Sequence, residues 1–252
     1  MQSAVSRFRW LVGLAVFFLA QGMAWAQAQQ PAMELSLASD GSGELSLPLR
    51  ILLFLTALVF IPSILISVTA FVRITVVLHF LRQALGTQQA PNNQVVIGLS
   101  LFLTFFVMGP VWDQVYETAV VPYQQGEIDE WAALMRAEGP LRGFMLHQVR
   151  EQDLALFVKA ARAPRPATPD DIPFRVLVPA FMISELRTAF NIGFILFLPF
   201  LVIDMVISSV LLSMGMLQLP PVMISMPFKI LLFILVDGWN LIIGSLLTSF
   251  RM

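Results

Sequence analysis

Three charged side chains stand inside long apolar stretches near the C-terminal end of this 252-residue chain: Asp204, Lys229 and Asp237. Two carboxylates in apolar surroundings can share a proton and carry out acid–base chemistry. Asp204 and Asp237 invite that comparison with an intramembrane aspartyl protease. Such an enzyme needs a glycine-flanked aspartate of the Gly-x-Gly-Asp type, and neither Ile203-Asp204-Met205 nor Val236-Asp237-Gly238 supplies it. Lys229 offers Asp204 a counter-charge instead. A charge in an apolar helix is costly unless it finds a partner. A short turn, Met214-Gly215-Met216-Leu217-Gln218-Leu219-Pro220-Pro221, lies between the two. With its centre near Leu217, each charge is about a dozen residues away, so at ~1.5 Å rise per residue both sit ~18 Å from the turn. In an antiparallel hairpin they are level. The spacing predicts an Asp204–Lys229 pair, within one chain or between neighbours. Asp237 and Asn240 are expected to be buried against protein or water rather than lipid.

Other chemistries find little support. The chain has no cysteine and only two histidines, His79 and His147, far apart in sequence. A histidine–thiolate metal site is therefore not expected. No phosphate-binding loop or nucleophile–base pair is present, so neither an enzyme nor a cofactor is anticipated. The net charge of −1 gives no basic surface for nucleic acid.

The elements that must position these charges follow from composition. The chain is 58% hydrophobic and 12% charged, against ~25% charged in a typical soluble domain. Four apolar blocks, at 49–72, 95–112, 189–213 and 228–249, each approach the ~20 residues that cross a bilayer as a helix. Pro62, Pro110 and Pro199 interrupt three of them. Proline removes a backbone hydrogen bond, and in lipid the freed group needs a protein or water partner. These helices are expected to pack largely against protein. An ion-coupled solute transporter would show an inverted repeat, and none is evident.

Residues 1–26 have the form of a cleaved signal peptide: Arg7 and Arg9, an apolar core from Trp10 to Ala20, then Ala24-Trp25-Ala26. Residues 27–47 read as a flexible segment, 48–112 as a first apolar hairpin, 113–178 as a polar helical insert, and 179–252 as a second apolar hairpin. Within the insert, helices are predicted over Glu127–Ala137 and Pro140–Ala163, broken at Gly139-Pro140. No strand alternation appears, so the class is all-α. An outside N-terminus makes 73–94 an inside loop carrying Arg73 and Arg82. The insert then lies outside, on the periplasmic side.

The turn is methionine-rich, with Met223 and Met226 just beyond it. Methionine repacks easily, which suits either an adaptable core or a soft seal around an opening.

The run Pro179-Ala180-Phe181-Met182-Ile183-Ser184-Glu185-Leu186-Arg187-Thr188-Ala189-Phe190-Asn191-Ile192-Gly193-Phe194 resembles the first signature of the FliP family of the bacterial flagellar export apparatus. Pro227-Phe228-Lys229-Ile230-Leu231-Leu232-Phe233, running to Asp237-Gly238-Trp239, resembles the second. Counterparts in virulence type III secretion are similar, and Asp237-Gly238-Trp239-Asn240-Leu241 favours the flagellar branch. The resemblance implies the major pore-forming subunit of an export gate, a pentamer around a path for unfolded flagellar proteins. It implies FliQ, FliR, FlhB and FlhA as partners, with rod proteins above the gate and the bacterial inner membrane around it. It implies a constriction at Met214, Met216, Leu217 and Gln218, and a bridge between subunits from Arg150 to Glu185. The family shows three methionines after the turn glycine, whereas here Gly215 is followed by Met216, Leu217 and Gln218. A looser seal is therefore expected.

Overall fold

The computed structural model describes residues 47–87, 90–162, 168–216 and 218–250. Among these no strand occurs, and the chain is all-α. The proposed signal peptide, most of the flexible segment and Leu217 lie outside the described residues.

The chain divides into two compact units at Val59 and Phe60. The described part of the first is the leading half of α1, Leu47–Val68, whose residues from Ile51 to Thr56 are all exposed. The second unit holds the rest. Its elements are α2 (Phe71–Ala84), α3 (Asn93–Val115), a π turn (Tyr116–Val120), α4 (Val121–Gln124), α5 (Glu130–Gln148), α6 (Glu151–Ala160), a 3-10 turn (Pro169–Asp171), α7 (Phe174–Ser213), α8 (Pro221–Leu235) and α9 (Gly238–Thr248).

The four apolar blocks survive with altered bounds. Among the described residues, three helical stretches are long and apolar enough to cross a membrane: Leu49–Val68, Asn93–Gln124 and Phe174–Ser213. The fourth block is not one helix. It bends by 67° between α8 and α9, at Asp237, whose backbone is left-handed (φ 51°, ψ 52°). Only glycine, asparagine and aspartate tolerate that conformation readily. The third block begins fifteen residues before its predicted start of 189: α7 opens at Phe174 and runs through Pro179, its sixth residue, which leaves the Arg175 carbonyl without a helical N–H partner.

The segment read as an inside loop, 73–94, is mostly α2, and α2 is the centre of the main core. Ile74, Val77, Leu78 and Leu81 recur at helical spacing and are all buried. They pack with Met108 of α3, Ala189 and Phe200 of α7, and Leu246 of α9. α2 and α7 approach closely because Gly193 leaves room for Phe80. A Cβ on Gly193 would fall 2.5 Å from that ring. Phe80 also meets Phe190 edge-on at 5.1 Å between centroids. Arg73 is thus a core residue and not a loop cation, so the inside assignment of 73–94 keeps only Arg82.

A second cluster joins the insert to α7 through Met145, Ile172, Val176, Leu177 and Phe181. The predicted break at Gly139-Pro140 is absent. α5 starts at Asp129, whose carboxylate caps the Ala132 N–H at 2.8 Å, and runs through Pro140. Glu138 and Arg142 pair one turn apart across the proline. The break falls instead at Val149 and Arg150, both extended. The Arg150 N–H leaves the helical ladder and donates to Ser184 Oγ of α7 at 3.1 Å.

Candidate functional site

The hairpin of α7 and α8 carries its turn on a defined stop signal. Gly215 takes a positive φ of 71°. The Met216 N–H donates to the Leu211 carbonyl and the Gly215 N–H to the Leu212 carbonyl, both at 3.0 Å. This is a Schellman cap, which glycine supports without steric penalty. Pro221 opens α8 at a position where no N–H is needed. Met214, just before the glycine, and Met216, Gln218 and Leu219, between these two signals, are all exposed.

Inside the hairpin, Lys229 Nζ donates to Asp204 Oδ2 at 2.6 Å. The pair forms within one chain. Lys229 is 3% exposed, whereas the Asp204 side chain keeps 34% of its surface. Ser225, one turn before Lys229 on α8, donates to Asp204 Oδ1, also at 2.6 Å. Both carboxylate oxygens are thereby engaged, and the charge of a buried ammonium is balanced where water is excluded. The sequence reading missed Ser225. Its signal was the i, i+4 spacing to Lys229, which puts both on one face of α8.

Asp237 and Asn240 depart from expectation. Both are exposed in the chain rather than buried, and Asn240 Nδ2 donates to Asp237 Oδ2 at 3.2 Å. The reason is the bend: at the α8–α9 corner the side chain of Asp237 turns out of the packed face. Asp204 is occupied by Lys229 and Ser225, and Asp237 by Asn240.

Glu185 also has a different partner from the one implied. Its side chain is fully buried and takes a bidentate pair from Arg73: Nε to Oε2 at 2.9 Å and Nη2 to Oε1. Arg73 Nη1 donates to the Ser249 carbonyl at 2.8 Å and to its hydroxyl at 3.1 Å. Nη2 also donates to Gln148 Oε1 at 3.2 Å. The guanidinium lies over the Phe250 ring, 4.0 Å from its centre. One arginine thus ties α2, α5, α7 and the end of the chain together. An arginine fork has five donors in a plane, and here they are all directed at acceptors. A bridge from a neighbour's Arg150 to Glu185 would have to displace Arg73. The missed signal was Glu185 itself: an acid in a run as apolar as Ala180–Phe194 demands an internal cation.

Beside this tie, Ser184 Oγ donates to Asp153 Oδ2 at 2.8 Å, and Arg187 Nη1 lies 3.8 Å from Asp153 Oδ1. The insert is therefore fastened to α7 by polar contacts as well as apolar ones. Among the described residues no cluster of three or more histidine, aspartate or glutamate side chains is arranged to hold a metal ion.

Fold and site define an all-α, membrane-capable protein built on a charge-paired apolar hairpin, with a helical polar insert bolted to it. The sequence profile of the FliP family matches residues 53–246. The flagellar biosynthetic protein FliP of Pectobacterium carotovorum is 48% identical over 242 residues, covering 96% of this chain and 93% of the relative. That of Bacillus subtilis is 52% identical over 213 residues, covering 84% and 96%. That of Aquifex aeolicus is 46% identical over 240 residues, covering 94% and 98%. The chain belongs to the FliP family.

Proposed function

We propose that this chain, a component of the flagellar export apparatus, is the pore-forming subunit of its protein export gate. The relatives carry the flagellar name, which favours that branch over virulence secretion. The observation that carries the reading is the surface of α7. Large apolar side chains are exposed from Ile183 (43%) to Leu212 (60%), with Phe190, Phe194, Val202 and Met205 between them. That face is ~43 Å long at ~1.5 Å per residue, whereas a hydrocarbon core is ~30 Å thick. Lipid could cover all of it only at a tilt of ~45°, beyond the ~0–40° usual for spanning helices. The remainder needs protein, and further copies of the same hairpin are the natural cover.

In this reading the α7–α8 hairpins stand side by side around a central path. The Asp204–Lys229 pair fixes the register of the two helices, so that their turns reach one level. The exposed residues Met214, Met216 and Gln218, with Leu217, narrow the path at that level. FliQ, FliR, FlhB and FlhA complete the gate, rod proteins sit above it, and unfolded flagellar proteins pass through. The protein acts without catalysis in the bacterial inner membrane, with residues 113–178 on the periplasmic side.

The lack of native cysteine gives a clean background for testing this. Full-length protein with Val202→Cys and Met205→Cys, introduced singly in cells lacking the parent gene, should restore motility, form cross-linked dimers through the one thiol of each chain, and purify under native conditions as a complex of several copies. Motile cells in which either variant purifies only as a monomer, without cross-links, would overturn the proposal.

A further inference from the structure

The ion pair between Arg187 and Asp153 is incomplete. Arg187 Nη1 stands 3.8 Å from Asp153 Oδ1, beyond hydrogen-bond reach. Asp153 is buried and already accepts from Ser184 Oγ at 2.8 Å. The Arg187 side chain keeps 51% of its surface and makes no hydrogen bond among the described residues. Its guanidinium donors are therefore available. Its neighbours on the same face of α7 are apolar: Ile183 one turn before and Phe190 one turn after are 43% and 55% exposed. Whatever covers this face must bring an anion to Arg187, because a charge buried without a partner is costly.

The chain itself carries a surface of that kind on α6. This helix runs antiparallel to α7. Arg150 and Asp153 at its start meet Ser184, while Phe157 and Val158 further on pack with Val176, Leu177 and Phe181. Levels along α7 follow from this. Asp153 lies between Ser184 and Arg187, and Glu151 is ~3 Å nearer the start of α6, which puts it level with Arg187. Leu156 is ~7.5 Å along α6 from Glu151, and Ile183 is ~6 Å along α7 from Arg187 in the same direction. Glu151 and Leu156 are both exposed, and Glu151 has no partner among the described residues. One face thus offers an acid and a leucine at the spacing at which the other offers an arginine and an isoleucine. Asp237 does not fit. It lies eight residues beyond Lys229, which is paired with Asp204, so it is level with Leu196, ~13 Å from Arg187.

We infer that Glu151 of one copy pairs with Arg187 of the next, with Leu156 laid against Ile183. This rests on the reading of the α7 face as covered by further copies, and it names the surface that covers its upper end. A rotation about an axis parallel to α7 preserves levels, so the pair meets without one chain sliding along the other. The two sides of the contact are different surfaces. It is therefore heterologous and closes by repeating around a ring. Arg187 is then held from both sides, by its own Asp153 and by the next copy's Glu151. The polar insert takes part in assembly through α6.

The test co-expresses two full-length versions in cells lacking the parent gene: Arg187→Cys with one affinity tag and Glu151→Cys with another. Each chain then has one thiol, because the parent has none, so every disulfide joins two copies. Membranes are oxidised mildly and the complex is purified under native conditions. The expected result is a disulfide-linked dimer bearing both tags, roughly fivefold or more above dimers of either version with itself, since a heterologous contact brings unlike positions together. A complex of several copies without that excess would overturn the inference and leave the gate reading standing. Recovery of monomers alone would overturn both. Charge is tested separately with Arg187→Gln and Glu151→Gln. Each should lower the assembled fraction about twofold to fivefold, the range of a partly exposed ion pair, and the double variant should assemble no worse than the weaker single. Losses that multiply would overturn the pairing. So would Arg187→Gln shedding bound phospholipid while Glu151→Gln assembles like the parent, which would assign Arg187 to a lipid phosphate.

Discussion

Removing the carboxylate of Glu185 offers the sharpest test of the buried tie. Arg73 is 1% exposed and Glu185 0%, so Glu185→Leu leaves a guanidinium in the core without its anion. Breaking one partner of a buried pair costs about 3–5 kcal/mol. Arg73→Met leaves the opposite orphan at a similar cost, so independent effects would sum to about 6–10 kcal/mol. The double variant removes both charges. It still strips a donor from the Ser249 carbonyl and from Gln148, at about 1–3 kcal/mol each. The double should therefore lose about 2–6 kcal/mol, against about 6–10 kcal/mol for independent effects. The readout is proteolysis of detergent-solubilised protein under conditions where cleavage follows the open population, so that ~3 kcal/mol appears as a rate more than a hundredfold faster. Strict additivity would refute a direct Arg73–Glu185 pair. A second arm separates this tie from an Arg150 bridge between subunits. If Arg150→Ala accelerates proteolysis as much as Glu185→Leu while Arg73→Met does not, Glu185 belongs to a neighbour's Arg150.

Other expectations follow from the same geometry. Asp204→Lys or Lys229→Asp alone should abolish motility and stable membrane accumulation. The exchanged pair should regain part of both, and rescue by neither measure would argue against direct pairing. Ser225→Ala removes one hydrogen bond to a charged group and should cost about 1.5–3 kcal/mol, read as a lower midpoint of thermal unfolding in detergent, with Ser225→Thr closer to the parent. Gly193→Ala drives a methyl into the Phe80 ring and should destabilise by about 1–3 kcal/mol. Adding Phe80→Leu should recover a measurable part, and unchanged stability of the single variant would mean the α2–α7 approach is looser than described. Gln218→Met should tighten the closed gate, measured as slower small-ion leak in non-exporting cells. Equal leak would remove the turn from the seal.

How much of this was legible in the sequence depended on whether a signal was local. Asp204 and Lys229 were visible because each is an isolated charge in an apolar run and a recognisable turn fixes their distances. The turn was legible for the same reason, since Gly215 and Pro221 are local stop and start signals. Asp237 looked like a buried charge because nothing short of the backbone reveals a left-handed residue inside an unbroken apolar string. The break at Val149–Arg150 was hidden likewise: it is made by Ser184, thirty-four residues away, whereas Gly139-Pro140 only looked like a break. Arg73 was the largest miss. By composition it belonged to a short charged connection, and its partners Gln148, Glu185 and Ser249 lie 75, 112 and 176 residues along the chain. Yet Glu185 held half the information. Once an acid is admitted inside an apolar helix, a cation must be found for it, and in a chain with only fifteen lysines and arginines the search is short. Arg73 lies one residue before the buried Ile74 of an apolar-periodic helix, while Arg150 opens an insert helix and is only partly covered. Burial at both ends favours the arginine that sits in the core over the one that sits beside it.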